Sequence, residues 1–391
     1  MRDSMPYILP IKMQAFARCV LLALFACLLL FATACTLQQN SDARALFTPL
    51  PHPGVIILGE REAASLALQL DVRNQGMESW RDMSFAVAQS LAYSSARPET
   101  DVAVTSQGIT LSYGQLTAAL RHLQRILPRL DGNPCLLAKD FIWHRIGPDF
   151  GFTGYYEPTL HASRTPNTAY PYPLYGLPPD LHAGVPYHTR QDIDRKGALA
   201  GRNLEIAWVD SDIDAFFLHI QGSGRLQFPD GAVSHILYAG KNNRPYTSLG
   251  RLMREQAMLD ENDVNMRSIR RFLQEHPDKR ATLFDANPAY VFFREAAYGP
   301  VGAMGYPITP WVSVASDRKT LPYGSLIFSI LPLPDATGKP AIPFYGLLLP
   351  QDTGGAIKDR RVDLFCGAGG HAEHIAGYLD AKGAVYLLIK K

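Results

Sequence analysis

At 391 residues the chain is long enough for two domains. An apolar content of 47% against 19% charged residues excludes a disordered chain, and a net charge of +2 supplies no basic field that would hold nucleic acid. The 29 prolines and 31 glycines, which punctuate the chain from about residue 130 onward, favour a β-rich body with many turns over a helical bundle.

Arg2, Lys12 and Arg18 precede an apolar run, 19–34, that is short for a transmembrane helix. The run ends in Ala32-Thr33-Ala34 directly before Cys35, which reads as a signal peptide over 1–34. Small residues before a cysteine resemble the bacterial lipobox, although Ala32 stands where leucine is usual. Lipidation of Cys35 and an ordinary signal cut nearby are the two readings. Thr36 follows in place of the aspartate that retains lipoproteins in the inner membrane. A lipidated Cys35 therefore implies an anchor in the outer membrane of a Gram-negative cell, facing the periplasm, with 35–52 as lipidated end and tether. Of five cysteines, Cys19 and Cys27 leave with the signal, so Cys135 and Cys366 remain, either as separate thiols or as one disulfide. There is no CxxC or HExxH, so neither a metal nor a cofactor is expected.

Residues 79–92 carry Trp80, Met83, Phe85, Val87 and Leu91 at roughly helical spacing. Ser112 and Gln115 form a capping box ahead of Leu116, Leu120, Leu123 and Leu127, a helix that Pro128 should stop. The character changes near Gly147, and 151–158, rich in glycine and aromatics, reads as a turn segment. Short strands are expected at 205–209, 215–221, 224–228 and 232–238, with Pro229-Asp230-Gly231 as a hairpin turn. Helices follow at 248–258 and after a cap at Asp263. Strands then return at 290–293, 311–314, 326–330, 346–349 and 385–389.

Three aspartates in the last quarter stand out. Asp317 ends an apolar strand, Asp352 opens the turn Asp352-Thr353-Gly354-Gly355, and Asp363 lies between Val362 and Leu364. Burial disfavours the charged form of a carboxyl, so Asp363 is the better general acid and Asp352 the better orienting partner. An aspartic protease needs a second Asp-Thr/Ser-Gly turn, which is absent. Ser223, in Gln221-Gly222-Ser223-Gly224, lacks the spacing of a nucleophile elbow; a tight turn whose backbone and Gln221 amide meet a ligand fits better. Tyr155 and Tyr156, with glutamine and aspartate nearby, suit a groove for sugar rings, and Gly354 and Gly355 let the backbone come close to a glycan.

The motifs Phe-Thr-Gly-Tyr-Tyr-Glu-Pro (152–158), Asp-Ala-Phe-Phe-Leu-His-Ile-Gln-Gly-Ser-Gly (214–224) and Asn-Pro-Ala-Tyr-Val-Phe-Phe (287–293) resemble the membrane-bound lytic murein transglycosylase A family. So do Ala315-Ser316-Asp317, Gln-Asp-Thr-Gly-Gly-Ala-Ile-Lys (351–358) and Arg-Val-Asp-Leu-Phe-Cys-Gly (361–367), which are similar to its three-aspartate domain. The resemblance implies a mainly β fold with some helices: a discontinuous double-psi β-barrel domain at about 41–150 and 300–391, a second β-barrel inserted at 151–299, and a groove between them. It implies cleavage of the β-1,4 bond between N-acetylmuramic acid and N-acetylglucosamine in peptidoglycan, leaving 1,6-anhydro ends. Asp363 would act as acid and then base, with Asp352 and Asp317 in support. Glycan strands, the outer membrane and other cell-wall proteins are the implied partners of a chain expected to be monomeric. A hydrolytic muramidase and a non-catalytic peptidoglycan-binding lipoprotein are the alternatives.

Overall fold

The computed structural model describes residues 52–106, 108–260 and 263–391. The expected signal at 1–34, Cys35 and all of the tether but its last residue lie outside the described residues. The described chain opens with β1 (Gly54–Ile57) and a helix, Glu60–Ala67. Within the helical expectation for 79–92 the backbone makes a 3-10 turn, Trp80–Met83, and then a helix, Ser84–Ser95. β2 (Val102–Ser106) and β3 (Ile109–Ser112) form a hairpin that feeds the helix Tyr113–Leu130. Its capping box is present: Gln115 N donates to Ser112 Oγ at 3.3 Å and Ser112 N to Gln115 Oε1 at 3.0 Å. Pro128 does not stop this helix, which runs on to Leu130. In the last turn the missing proline N–H removes only one bond from the ladder.

The stretch 151–158, expected to be a turn, is instead the end of a long strand, β4 (Phe141–Glu157). Phe150, Phe152 and Tyr156 point into the core, and Thr153 and Tyr155 point the other way. Gly154 serves close approach, not a turn. A Cβ there would lie 2.9 Å from Ala376 Cα and 3.1 Å from Cys366 Sγ, so its absence lets the helix Gly370–Tyr378 pack on the strand.

After β4 come β5 (Thr159–Ser163), β6 (Tyr172–Tyr175), β7 (Glu205–Val209), β8 (Ser223–Gln227), β9 (Val233–Lys241) and β10 (Val291–Ala296). They form one six-stranded sheet in the order β10-β9-β8-β5-β7-β6, and a bridge from Gly176 to Phe293 brings its two ends together. Leu160, Ala162, Leu174, Val209, Leu226 and Phe293 belong to its core. The strand expected at 215–221 is a helix, Asp212–Gln221. Ser211 caps it by accepting from Asp214 N at 3.1 Å, and Gly222, at φ +80°, ends it. A short apolar run does not distinguish the two states; the cap and the glycine do. Ile213, Phe216 and Phe217 of this helix pack with the helices Leu249–Glu255, Met266–Glu275 and Pro277–Asp285. Asn265, not Asp263, caps the second of these, accepting from Ser268 N at 2.9 Å.

The last quarter supplies β11 (Ser313–Ser316), β12 (Ile327–Pro334), β13 (Pro340–Asp352), β14 (Arg361–Ala368) and β15 (Asp380–Lys390). With β4 they close a six-stranded barrel in the order β4-β14-β11-β13-β12-β15, and β15 pairs back onto β4. β1 adds to the outer end of β4. Two contacts, β4–β14 and β11–β13, are parallel, which a plain up-and-down barrel does not allow. Phe150, Phe152, Val314, Ile327, Phe344, Leu348, Val362, Leu364 and Val385 fill the interior. The fold is thus mainly β, with a discontinuous barrel and a second sheet inserted into it.

Candidate active site

Four strands place four residues in one row across the barrel. Thr153 on β4 is the register partner of Asp363 on β14, Asp363 is that of Ala315 on β11, and Ala315 is that of Asp352 on β13. Ala315, buried between the two carboxyls, contributes only a methyl group. With strands about 4.8 Å apart, the two aspartate backbones stand roughly 10 Å apart.

Asp363 is flanked along its strand by Val362 and Leu364, both fully buried in the barrel core. Thr153 Oγ1 donates to Asp363 Oδ1 at 2.7 Å. Arg361 reaches the same threonine oxygen from Nε and Nη2, each at 3.4 Å. Burial raises the Asp363 carboxyl to about 6, against the threonine bond and the Arg361 charge, which lower it, while the charge of Asp352 raises it further. The group can therefore hold a proton near neutral pH and release it.

Asp352 is held differently. Oδ1 accepts from Ala303 N at 2.7 Å and from Thr353 N at 2.8 Å, and Oδ2 accepts from Tyr155 O–H at 3.0 Å. Burial raises its carboxyl above the ordinary range, and the two backbone bonds and the tyrosine pull it down. Burial, then the charges of Asp352 and Asp363, push Tyr155 well up, so it keeps its proton and remains a donor. Its ring packs on Phe365, with centroids 5.2 Å apart.

Asp317 does structural work. Oδ1 accepts from Lys319 N at 3.0 Å and Oδ2 from Asp359 N at 2.9 Å. Although burial opposes it, these backbone donors hold the carboxyl below its usual range. Thr320 Oγ1 also donates to Asp359 O at 2.8 Å, and Thr353 Oγ1 to Ser316 O at 3.1 Å. The loop between Asp352 and Asp363 is thereby tied to the end of β11. Within it Gly354 packs on Ile357, and Gly355 borders open space. Gln351, fully buried, donates to Ala86 O at 2.7 Å and to Ser90 Oγ at 2.8 Å, which anchors the end of β13 on the helix Ser84–Ser95.

Of the residues singled out from sequence, Asp363, Asp352 and Tyr155 come together. Tyr156 does not join them. It is only 5% exposed, on the core face of β4, and its hydroxyl donates to Glu373 at 3.2 Å. Gln221 accepts from Tyr156 N at 3.0 Å, so it braces the strand. Ser223 lies in β8, opposite Leu237. Cys135 and Cys366 are separate thiols, and Cys366 is buried beside Leu364 in the barrel core. Sequence reasoning assigned no role to Thr153 or Arg361. The alternation of Thr153 and Tyr155 with Phe152 and Tyr156 was the available signal, and the glycines obscured it. Burial of its hydroxyl raises Tyr246, on the loop after β9, and the charge of Arg361 on β14 lowers it.

Comparison with known proteins agrees with this layout. Residues 151–294 match the MltA specific insert domain, and 312–389 match the 3D domain. The chain is 32% identical over 312 residues to membrane-bound lytic murein transglycosylase A of Escherichia coli K12, covering 72% of this chain and 83% of that protein. This chain belongs to the membrane-bound lytic murein transglycosylase A family. The protein of that name from Vibrio cholerae is 36% identical over 241 residues, covering 61% of this chain and 64% of the relative. Among solved structures, a membrane-bound lytic murein transglycosylase from Agrobacterium tumefaciens superposes with a TM-score of 0.72 at 30% identity, covering 86% of this chain and 98% of that one. E. coli MltA with bound chitohexaose superposes at 0.66 and 28% identity, covering 78% and 89%. Within the family frame, the row from Thr153 to Asp352 lies on the 3D-domain strands and on β4, which runs into the insert domain.

Proposed function

We propose that this chain is a peptidoglycan lytic transglycosylase in which a single carboxyl, Asp363, performs both proton transfers. Family membership supports the enzyme class. The site supports the assignment of roles: Asp363 is lifted to about 6 and carries one hydroxyl donor, whereas Asp352 is occupied by three donors. A conventional glycosidase needs two working carboxyls, one of which attacks carbon or activates water. Here Asp363 carries the fewer donors of the two and is the one raised to about 6.

Protonated Asp363 gives its proton to the glycosidic oxygen between N-acetylmuramic acid and N-acetylglucosamine as that bond breaks. The resulting carboxylate then takes the proton of the muramoyl C6 hydroxyl, whose oxygen closes on C1. The product is a 1,6-anhydro end, and no water is consumed. Because the attacking hydroxyl belongs to the same sugar, proximity replaces a bound water. Asp352, fixed by Ala303, Thr353 and Tyr155, whose bonds favour its ionised form, supports the developing oxocarbenium ion. The substrate assignment draws support from the E. coli structure, which holds chitohexaose, a chain of β-1,4-linked sugars. The relatives are named membrane-bound, and we infer that an anchor through Cys35 holds this chain at the periplasmic face of the outer membrane.

Digestion of purified sacculi, with products weighed by mass spectrometry, tests the reaction. Muropeptides lighter by one water than their reducing counterparts are expected. Reducing ends would make the chain a hydrolytic muramidase, and no release at all would make it a binding protein.

A further inference from the structure

Glu157 closes the motif 152–158 and has no part in the chemistry above, yet it is 1% exposed. We propose that Glu157 is a positioning residue that sets the stance of the second sheet against the strand carrying the acid's partners. This inference rests on the glycan-cleaving reading of the groove.

The argument begins with the strand. Thr153, Tyr155 and Glu157 alternate along β4, and each holds one other part of the site. Thr153 holds Asp363, and Tyr155 holds Asp352. Glu157 holds the second sheet: Arg225 Nε on β8 lies 2.6 Å from Glu157 Oε2, and His235 Nδ1 on β9 lies 2.9 Å from Oε1. β4 ends here, and the chain passes through Pro158 into β5. Arg225 also grips this crossing through its backbone, with N donating to Pro158 O at 2.8 Å. Gly224 is what admits the approach, since a Cβ there would lie 3.0 Å from Pro158 O and 2.6 Å from Leu218 Cδ1. The return crossing is packed against the same strands. A Cβ on Gly299 would meet Leu237 at 2.8 Å and His235 Nδ1 at 3.5 Å. His235 therefore lies near both passages of the chain between barrel and second sheet.

A buried carboxylate is costly unless it is paired and bonded, and Glu157 is matched on both oxygens. Both partners come from the second sheet, and neither is needed to close the barrel. Glu157 is also the register partner of Ala368 on β14, the strand that carries Asp363. The tilt set at Glu157 is thus the stance of the second-sheet wall against the barrel wall that carries the acid. A long glycan that touches both walls senses that tilt, whereas a short one bound around Asp363 does not.

The experiment compares long glycan strands with a short tetrasaccharide as substrates for the wild-type enzyme, Glu157→Gln, Arg225→Met and the double variant. For Glu157→Gln we expect KM on long strands to rise about tenfold with kcat nearly unchanged, and kcat/KM on the tetrasaccharide to stay at the wild-type value. Arg225→Met, on a side chain 40% exposed and so tolerant of change, should shift KM in the same direction by less. The double variant should be no worse than Glu157→Gln alone, because the two groups act as one unit. If Glu157→Gln does not fold, the Arg225→Met ratio between the two substrates decides. Equal losses on both substrates, unchanged KM on long strands, or a displaced pH profile in a folded variant would each overturn the proposal. Absence of anhydro products from the wild-type enzyme would instead defeat the reading of the reaction itself.

Discussion

Asp363 in the middle of β14 and Asp352 at the end of β13 flank the same alanine, yet their surroundings differ in kind. Asp352 meets two backbone N–H groups and a tyrosine hydroxyl. Asp363 meets one threonine hydroxyl, between neighbours sealed in the core. Burial raises both, but three donors compensate the ionised form of Asp352, whereas Asp363 is left near 6. Acid–base capacity at this site is therefore a matter of how few donors a buried carboxyl has.

The sharpest way to break this comparison is Asp363→Asn. The amide keeps the size and the contact with Thr153 but carries no transferable proton. Release of muropeptides should fall by roughly 10²–10⁴-fold, the usual worth of a positioned general acid. Full activity in a folded Asp363→Asn protein would remove Asp363 from the chemistry.

Asp352→Asn should do less. The amide oxygen can keep the two backbone N–H groups while its NH2 donates to the Tyr155 oxygen, which then accepts where it had donated, so what is lost is the negative charge and the charge-assisted form of these bonds. A loss of this kind costs about 1–3 kcal/mol, or roughly 5- to 150-fold in kcat. The steady-state rates of the two variants, measured side by side, decide the matter. A loss as large as that of Asp363→Asn would mean that the carboxyls work as a pair.

How much of this could be read beforehand depended on which signals are local. The placement of Asp363 between Val362 and Leu364 is local, and it marks a carboxyl whose two strand neighbours are sealed in the core. The Ser112–Gln115 cap and the Pro229-Asp230-Gly231 hairpin turn between β8 and β9 are local too. The row Thr153–Asp363–Ala315–Asp352 is not local, because it joins strands separated by up to 210 positions in the chain. Gly154 misled for the same reason. Its missing Cβ accommodates a helix more than 200 residues later, and nothing near it in sequence says so. Tyr156 parts from Tyr155 because period-two alternation sends strand neighbours to opposite faces, which a turn at 151–158 would not do.

The smallest effect tests the comparison most directly, because it alters the number of donors and leaves both carboxyls in place. In the proposed mechanism the reaction starts from protonated Asp363, so kcat/KM should decline on the alkaline side of about 6. Thr153 lowers the Asp363 carboxyl by donating to its ionised form. Thr153→Val keeps the shape and removes the donor. The ionised form then loses its one hydroxyl donor, the carboxyl rises, and the acid survives to higher pH. The alkaline limb of the profile should shift upward even as the maximum rate falls through looser orientation. Arg361→Gln should move the limb the same way, because its positive charge also favours the carboxylate. A limb that stays in place in both variants would mean that some other group sets the profile, and an acid limb that moves upward in its stead would mean that Asp363 must start ionised, as a base.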